Sequence, residues 1–285
     1  MLLRQLVNSL VRQAAQQPLR NAVSEGVKRQ AASASGEAHR VERSDIIVAF
    51  ALGVEAGGTV DLLREAVTTR CPNFVEHAGF LGDRRVALIE TGVGRELATH
   101  ATLDVIALHR PRWIVSTGFA GALTPELRRG HILMVDEVVD TTGEHLSIGL
   151  HVDRATVEAT RGLHIGRLAT VDRLVRTKAD RTRLAEEHAA LACDMETMAM
   201  AQVCQREHVR FLSVRIISDT LEDDLPKGIE RLLDQKTIAA KLGAATGAIF
   251  NRPSSIKDMW KLKEDAIKAS DRLARFLVGV IEQLA

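Results

Sequence analysis

Short runs that are apolar on both faces set the tightest limit on how this chain folds. Ile46 to Leu52, Arg85 to Thr91, Trp113 to Gly118, Ile132 to Val139 and Phe211 to Ser218 are all of strand length, and several carry apolar side chains at successive rather than alternate positions. Such a strand must be covered on both sides, as in a parallel sheet between helical layers. Between these runs, Arg95 to His109 and Glu196 to Glu207 repeat apolar residues at three- and four-residue spacing, the pattern of amphipathic helices. Ile256, Trp260, Ile267, Leu273, Leu277, Ile281 and Leu284 form one long helical stripe, read as core contact. Strands alternating with helices predict an α/β fold with a mainly parallel sheet, whose ligands sit beyond the carboxyl ends of the strands.

The first forty residues are different. Leu3, Leu6, Val7, Leu10 and Val11 fall at helical spacing while Arg4, Arg12, Arg20, Lys28 and Arg29 supply the charge. This basic amphipathic helix reads either as a piece that docks on its own domain or a sister subunit, or as an interfacial membrane anchor or targeting peptide. Ala31 to Glu37 reads as a linker, so residues 1–43 form an N-terminal helix and linker and residues 44–285 the main domain. With 38 Lys and Arg against 37 Asp and Glu, the net charge of +1 gives no electrostatic footing for nucleic acid, and a small-molecule substrate is expected instead. The three cysteines form no C-x-x-C pair, so neither a disulfide framework nor a metal site is expected, and the setting is read as cytoplasmic. No apolar run is long enough to cross a bilayer.

Four strand ends carry residues too polar or too small for packing alone. The first strand runs through Leu52-Gly53-Val54-Glu55 and delivers a carboxylate to the start of a helix; the structural alternative is a complement to the helix dipole. Two glycine turns follow, Glu90-Thr91-Gly92-Val93-Gly94-Arg95 and Ser116-Thr117-Gly118-Phe119-Ala120-Gly121-Ala122, where backbone amides can approach a ligand closely. Neither is a dinucleotide fingerprint or a phosphate-binding P-loop. Cys193-Asp194-Met195-Glu196 opens a helix with two acids, for which simple capping is the alternative. Val214 to Asp219 ends an apolar strand in Arg215, Ser218 and Asp219, and an arginine inside an apolar run needs a polar partner.

In this order and at these separations the segments resemble the nucleoside phosphorylase family, in particular its methylthioadenosine/S-adenosylhomocysteine nucleosidase branch. The resemblance covers Asp45 to Leu225 and rests most on Asp194-Met195-Glu196 and on Arg215-x-x-Ser218-Asp219. It implies a three-layer single domain with a twisted, partly closed central sheet flanked by helices, assembled as a homo-oligomer, with a dimer favoured, and it calls for no cofactor or metal. It makes Asp219 the general acid that protonates the departing purine, oriented by Ser218 and Arg215 in a dry pocket. Glu196 would grip the ribose hydroxyls, with Met195 under the sugar, and Glu55 would position and deprotonate the attacking water. Thr117, Gly118, Phe119, Ala120 and Gly121 would line the substrate site, and Leu174 and Val175 would form the wall against the base.

The same resemblance bears on the nucleophile. Phosphorylase relatives carry Gly-Asp-Pro-x-Arg after the first strand and an arginine and a serine in the glycine-rich strand end. This chain has Leu52-Gly53-Val54-Glu55 in the first place and Ser116 and Phe119 in the second. A negative charge there repels phosphate and not water, so hydrolysis of an adenine-type nucleoside is expected, with a phosphate-dependent phosphorylase and an inactive nucleoside-binding protein as alternatives. Arg95, beside a glycine turn, is a positive charge left unplaced. The chain has no tyrosine and 3% aromatics, and Asp140 to Gly162 offers His145 and His151 where the nucleosidases use aromatic residues on the 5′ group. The stretch Leu242 to Arg275, with Asn251-Arg252-Pro253, resembles hopanoid-associated relatives that act on lipid-linked nucleosides, which would give the N-terminal helix a membrane role.

Overall fold

The computed structural model of the protein describes residues 43–149, 157, 159–224 and 253–284, with the side chains of the last segment described from Glu264 onward. The amphipathic helix and linker expected before Ser44, His151 and the Asn251-Arg252 pair lie outside the described residues.

In chain order the elements are β1 (Ile46–Phe50), α1 (Gly53–Val60), β2 (Arg64–Arg70), β3 (Val75–Leu81), β4 (Arg84–Glu90), α2 (Arg95–His109), β5 (Trp113–Ala122), β6 (Ile132–Asp140), β7 (His145–Ser147), β8 (Leu163–Thr170), α3 (Lys178–His188), β9 (Ala192–Asp194), α4 (Thr197–Arg206), β10 (Arg210–Asp219) and α5 (Pro253–Gln283). All five expected strands are present. Their order in the sheet is β10-β6-β8-β9-β5-β1-β4-β3-β2, and β10 pairs with β5 as well. That extra pairing closes β5, β10, β6, β8 and β9 into a ring, from which β1, β4, β3 and β2 extend as an open wing.

The strands that carry the site are parallel: β5 lies between β1 and β10 and runs with both. The sheet as a whole is mixed, because β2, β3 and β4 form an antiparallel meander and β6 runs against β10. Both faces of the central strands are buried. In β1, Ile46, Val48 and Phe50 pack with Leu273, Leu277 and Ile281 of α5, while Ile47 packs on the opposite side with Val105 of α2. Among the described residues, the apolar stripe of α5 departs from its reading at Ile267, which is 46% exposed. It lies six residues before Leu273, about 1.7 turns, and so falls on another face from the four-residue series 273, 277, 281.

The contact of α5 with α1 places the site. Ser270 Oγ accepts the Gly58 N–H and donates to the Glu55 carbonyl, both at 2.9 Å, and it is buried. A Cβ on Gly58 would lie 2.8 Å from the Ser270 backbone, so the two helices touch main chain to main chain. Gly58→Ala should therefore cost about 1–3 kcal/mol through overpacking, read as a lower urea midpoint at unchanged m-value. A variant as stable as the parent would show that α5 does not hold α1 in this way.

Candidate active site

Glu55 enters from the N-terminal turn of α1. One carboxylate oxygen accepts the backbone N–H groups of Ala51 and Leu52 at 3.0 and 2.9 Å, so Glu55 does cap its own helix. The other oxygen reaches across to β5 and accepts Phe119 N–H at 2.9 Å. Burial raises its pKa above the usual carboxylate range, while the amide donors and the charge of Arg215 oppose that rise. Gly118, at φ +137°, is required here, since a Cβ would sit 2.9 Å from the Glu55 carboxylate.

Glu196 stands at the boundary between β9 and α4. Its side chain does not cap α4; Asp194 does, accepting Thr197 N–H at 3.0 Å. Glu196 instead accepts Gly94 N–H at 2.7 Å from the turn before α2. Burial, then the charges of Asp194 and Glu55, push its pKa up to about 8. Arg215 lies within reach of both acids, since its charge pulls the pKa of each back down.

The partner that Arg215 needed inside its apolar strand is Asp194, 2.7 Å from Nη2, joined by the hydroxyls of Ser116 at 2.7 Å and Thr197 at 2.6 Å. Both charges are buried, and Thr170 adds a hydroxyl to Asp194 at 2.8 Å. Arg215, four residues before Asp219 on β10, does not orient it as expected, because its guanidinium is committed to Asp194 of β9. Ser218 does, donating to Asp219 Oδ1 at 2.6 Å and reaching the Ala120 carbonyl at 3.3 Å.

The neighbour of Asp219 that the sequence did not announce is Arg181 of α3. It is 1% exposed, and its Nη2 lies 2.5 Å from Asp219 Oδ2. The two atoms form an ion pair without hydrogen-bond alignment. Nη1 donates to the carbonyls of Thr220 at 2.8 Å and Ala122 at 3.4 Å. The surroundings of Asp219 are thus polar and cationic on this side. Gly121 makes room for them, as a Cβ there would be 2.9 Å from Oδ2. Glu55 over Gly118 and Asp219 over Gly121 therefore meet one strand end at positions about 10 Å apart along β5.

Thr117 is buried with its hydroxyl unpartnered, and Ala120 is buried. Met195 and Val175 pack against the cluster of Leu123, Val139 and Val171, and Leu174 is half-buried. Arg95 is paired with Asp140 at 3.4 Å and Asp172 at 3.2 Å. His145 pairs with Glu137 at 2.9 Å.

The match to the phosphorylase superfamily covers residues 45–251, most of the chain. The chain belongs to that superfamily. A 5′-methylthioadenosine/S-adenosylhomocysteine nucleosidase from Shewanella sediminis is 29% identical over 205 residues, 64% of this chain and 89% of the relative. One from Staphylococcus aureus is 24% identical over 206 residues, 64% and 90% respectively. Among solved structures, the Helicobacter pylori nucleosidase with butyl-thio-DADMe-Immucillin-A superposes with a TM-score of 0.64 at 18% identity, covering 85% of this chain and 99% of the other. A futalosine hydrolase mutant from the same organism gives 0.63 at 17% identity, covering 84% and 99%. Those two likenesses bear on the fold.

Glu196 supplies a pH signature. Its carboxyl is protonated in the folded site and ionised in the unfolded chain across the interval between the ordinary glutamate value of 4.5 and about 8. The folded state then binds more protons, so this contribution is fully present below the unfolded value and is lost as pH rises through the folded one. Urea midpoints for the parent and Glu196→Gln at pH 5, 6.5 and 8 should show the parent losing ground as pH rises. A pH-independent difference would contradict a buried, protonated Glu196.

Proposed function

We propose that this chain is a nucleosidase that hydrolyses the N-glycosidic bond of an adenine-type purine nucleoside. The observation that carries this reading is the pair of buried acids, Glu55 and Glu196, set with Asp219 around the glycine-rich end of β5. In this reading Asp219 gives a proton to the imidazole nitrogen of the departing base, with Ser218 holding its carboxyl in place. Glu196 takes the ribose hydroxyls. As the sugar becomes oxocarbenium-like, its positive charge lowers the cost of ionising Glu196 and Glu55, so the interaction strengthens toward the transition state. Glu55, held by three backbone amides and with its pKa raised by burial, orients water and takes its proton. Thr117, Gly118, Phe119, Ala120 and Gly121 line the site, Met195 lies against the sugar, and Leu174 and Val175 face the base.

Water is favoured over phosphate because Glu55 fills the space over Gly118 with an acid, and because Arg95, the cation beside the glycine turn before α2, is engaged by two aspartates. Both relatives described above are named as nucleosidases, and each is matched over most of its length. Adenine released from methylthioadenosine or S-adenosylhomocysteine at the same rate with and without phosphate is the expected result; strict phosphate dependence with ribose-1-phosphate as product would make the chain a phosphorylase. Asp219→Asn should lower kcat about 10²–10⁴-fold, the usual contribution of a general acid, with substrate binding retained. If the parent binds nucleoside without turnover, the chain is a binding protein.

The 5′ group in this proposal is modified or bulky, since the chain has no tyrosine and few aromatics to enclose a small alkylthio group. Residues 1–43 are proposed as a separate amphipathic segment giving peripheral membrane contact to a cytoplasmic homo-oligomer, with a dimer favoured. Co-sedimentation with vesicles should be strong for the full chain and negligible for one starting at Ser44; equal, negligible binding by both would remove the membrane role.

A further inference from the structure

Arg95 is a cation that the proposed reaction does not use. It is the first residue of α2, directly after Gly94, whose N–H holds Glu196 at 2.7 Å. Its guanidinium joins two further segments. Nη1 donates to Asp140 Oδ2 at 3.4 Å, at the end of β6, and Nε donates to Asp172 Oδ1 at 3.2 Å, in the connection between β8 and α3. That connection carries Leu174 and Val175, the residues proposed to face the base. One planar fork thus ties together the ends of β6 and β8 and the start of α2, and the compact charge of a lysine has no such fork with which to serve two carboxylates.

The two carboxylates are held very differently. Asp140 is the fixed end, with its side chain 4% exposed and its Oδ1 accepting Thr142 N–H at 2.9 Å, the Thr142 hydroxyl at 2.6 Å and Glu144 N–H at 3.1 Å. Burial pushes its pKa up, but these donors and the Arg95 charge outweigh burial and hold it below the usual carboxylate range. Asp172 is the outer end, its side chain 64% exposed. The connection to which it belongs is pinned at its start, where Val171 N–H donates to the Asp194 carbonyl at 2.8 Å, and at its finish, where Thr177 caps α3. Between these points Leu174 and Val175 are half-buried, and Asp172 reaches back to Arg95.

We infer that Arg95 is a positioning residue for nucleobase binding: anchored on Asp140, it draws Asp172 in and so sets the wall of residues 172–176 against the turn that holds Glu196. The inference rests on the nucleosidase reading for what that wall faces, whereas the clasp itself stands on the two ion pairs. Because the Arg95–Asp172 arm lies largely in water, salt screens it, and it contributes far less than a buried pair. Its effect therefore falls on how well the base is received and not on the chemical step.

The test compares the parent with Asp172→Asn and Arg95→Met in adenine release from methylthioadenosine, a substrate without net charge. Each substitution should raise KM about two- to fivefold, the range that an exposed ion pair supports, with kcat unchanged. The double variant should be no worse than the worse single one, because both remove the same contact. Added salt should lift the parent's KM toward that of the variants and leave theirs in place. Amide exchange over residues 172–176, followed without nucleoside, should quicken in both variants. Asp172 is exposed, so Asp172→Asn should melt with the parent, and an unchanged KM in that variant would overturn the inference while leaving the nucleosidase reading intact. A fall in kcat for Arg95→Met that Asp172→Asn does not share would overturn it too, by assigning Arg95 to Glu196 through Gly94. If the parent binds methylthioadenosine without cleaving it, the nucleosidase reading falls and the same comparison is made on Kd; a parent that does not bind it at all would sink both.

Discussion

Two of the three acids in the proposed site depend on the end of β5 being nearly bare. At Gly118 and at Gly121 the missing Cβ is replaced by a carboxylate oxygen, Glu55 in one case and Asp219 in the other, each 2.9 Å from where that carbon would be. β5 is also the strand that pairs with β1, β9 and β10. The strand that knits the sheet together therefore gathers the acids, delivered by α1 on one side and by β10 on the other. A larger side chain at either glycine would displace a carboxylate or push the strands apart.

Gathering acids in a buried place requires that their charges be balanced or suppressed, and both devices are present. Asp194 stays compatible with burial because Arg215, Thr170 and Thr197 saturate it. Glu196 has one amide donor and two acidic neighbours, so it holds its proton instead. Breaking the Asp194–Arg215 pair would leave an uncompensated buried charge, which is far costlier than losing a surface pair. The polar network thus supports the fold and sets the field of the site at once.

Asp219 has a counter-charge of its own in Arg181, a nearly inaccessible guanidinium whose other nitrogen is tied to the carbonyls of Thr220 and Ala122. This couples α3 to the end of β10.

Much of this was legible in the residues themselves. Runs apolar on both faces marked β1, β4, β5, β6 and β10, and the quoted motifs marked the acids at their ends. β2 was not legible because all seven of its residues are exposed and carry no apolar pattern, and β9 because it is three residues long. Arg181 was hidden for a related reason. α3 buries little besides Arg181 and Leu184, so it has no apolar stripe to mark the helix or to point its arginine inward. The sequence by itself determined which strands are covered on both faces and which residue types stand at their ends, since those follow from local spacing. Only the tertiary structure decided which buried charge meets which. Arg215 and Asp194, or Arg181 and Asp219, are partners across strands and helices far apart in the chain, and such a pairing is settled by strand register and helix packing, which no local spacing encodes.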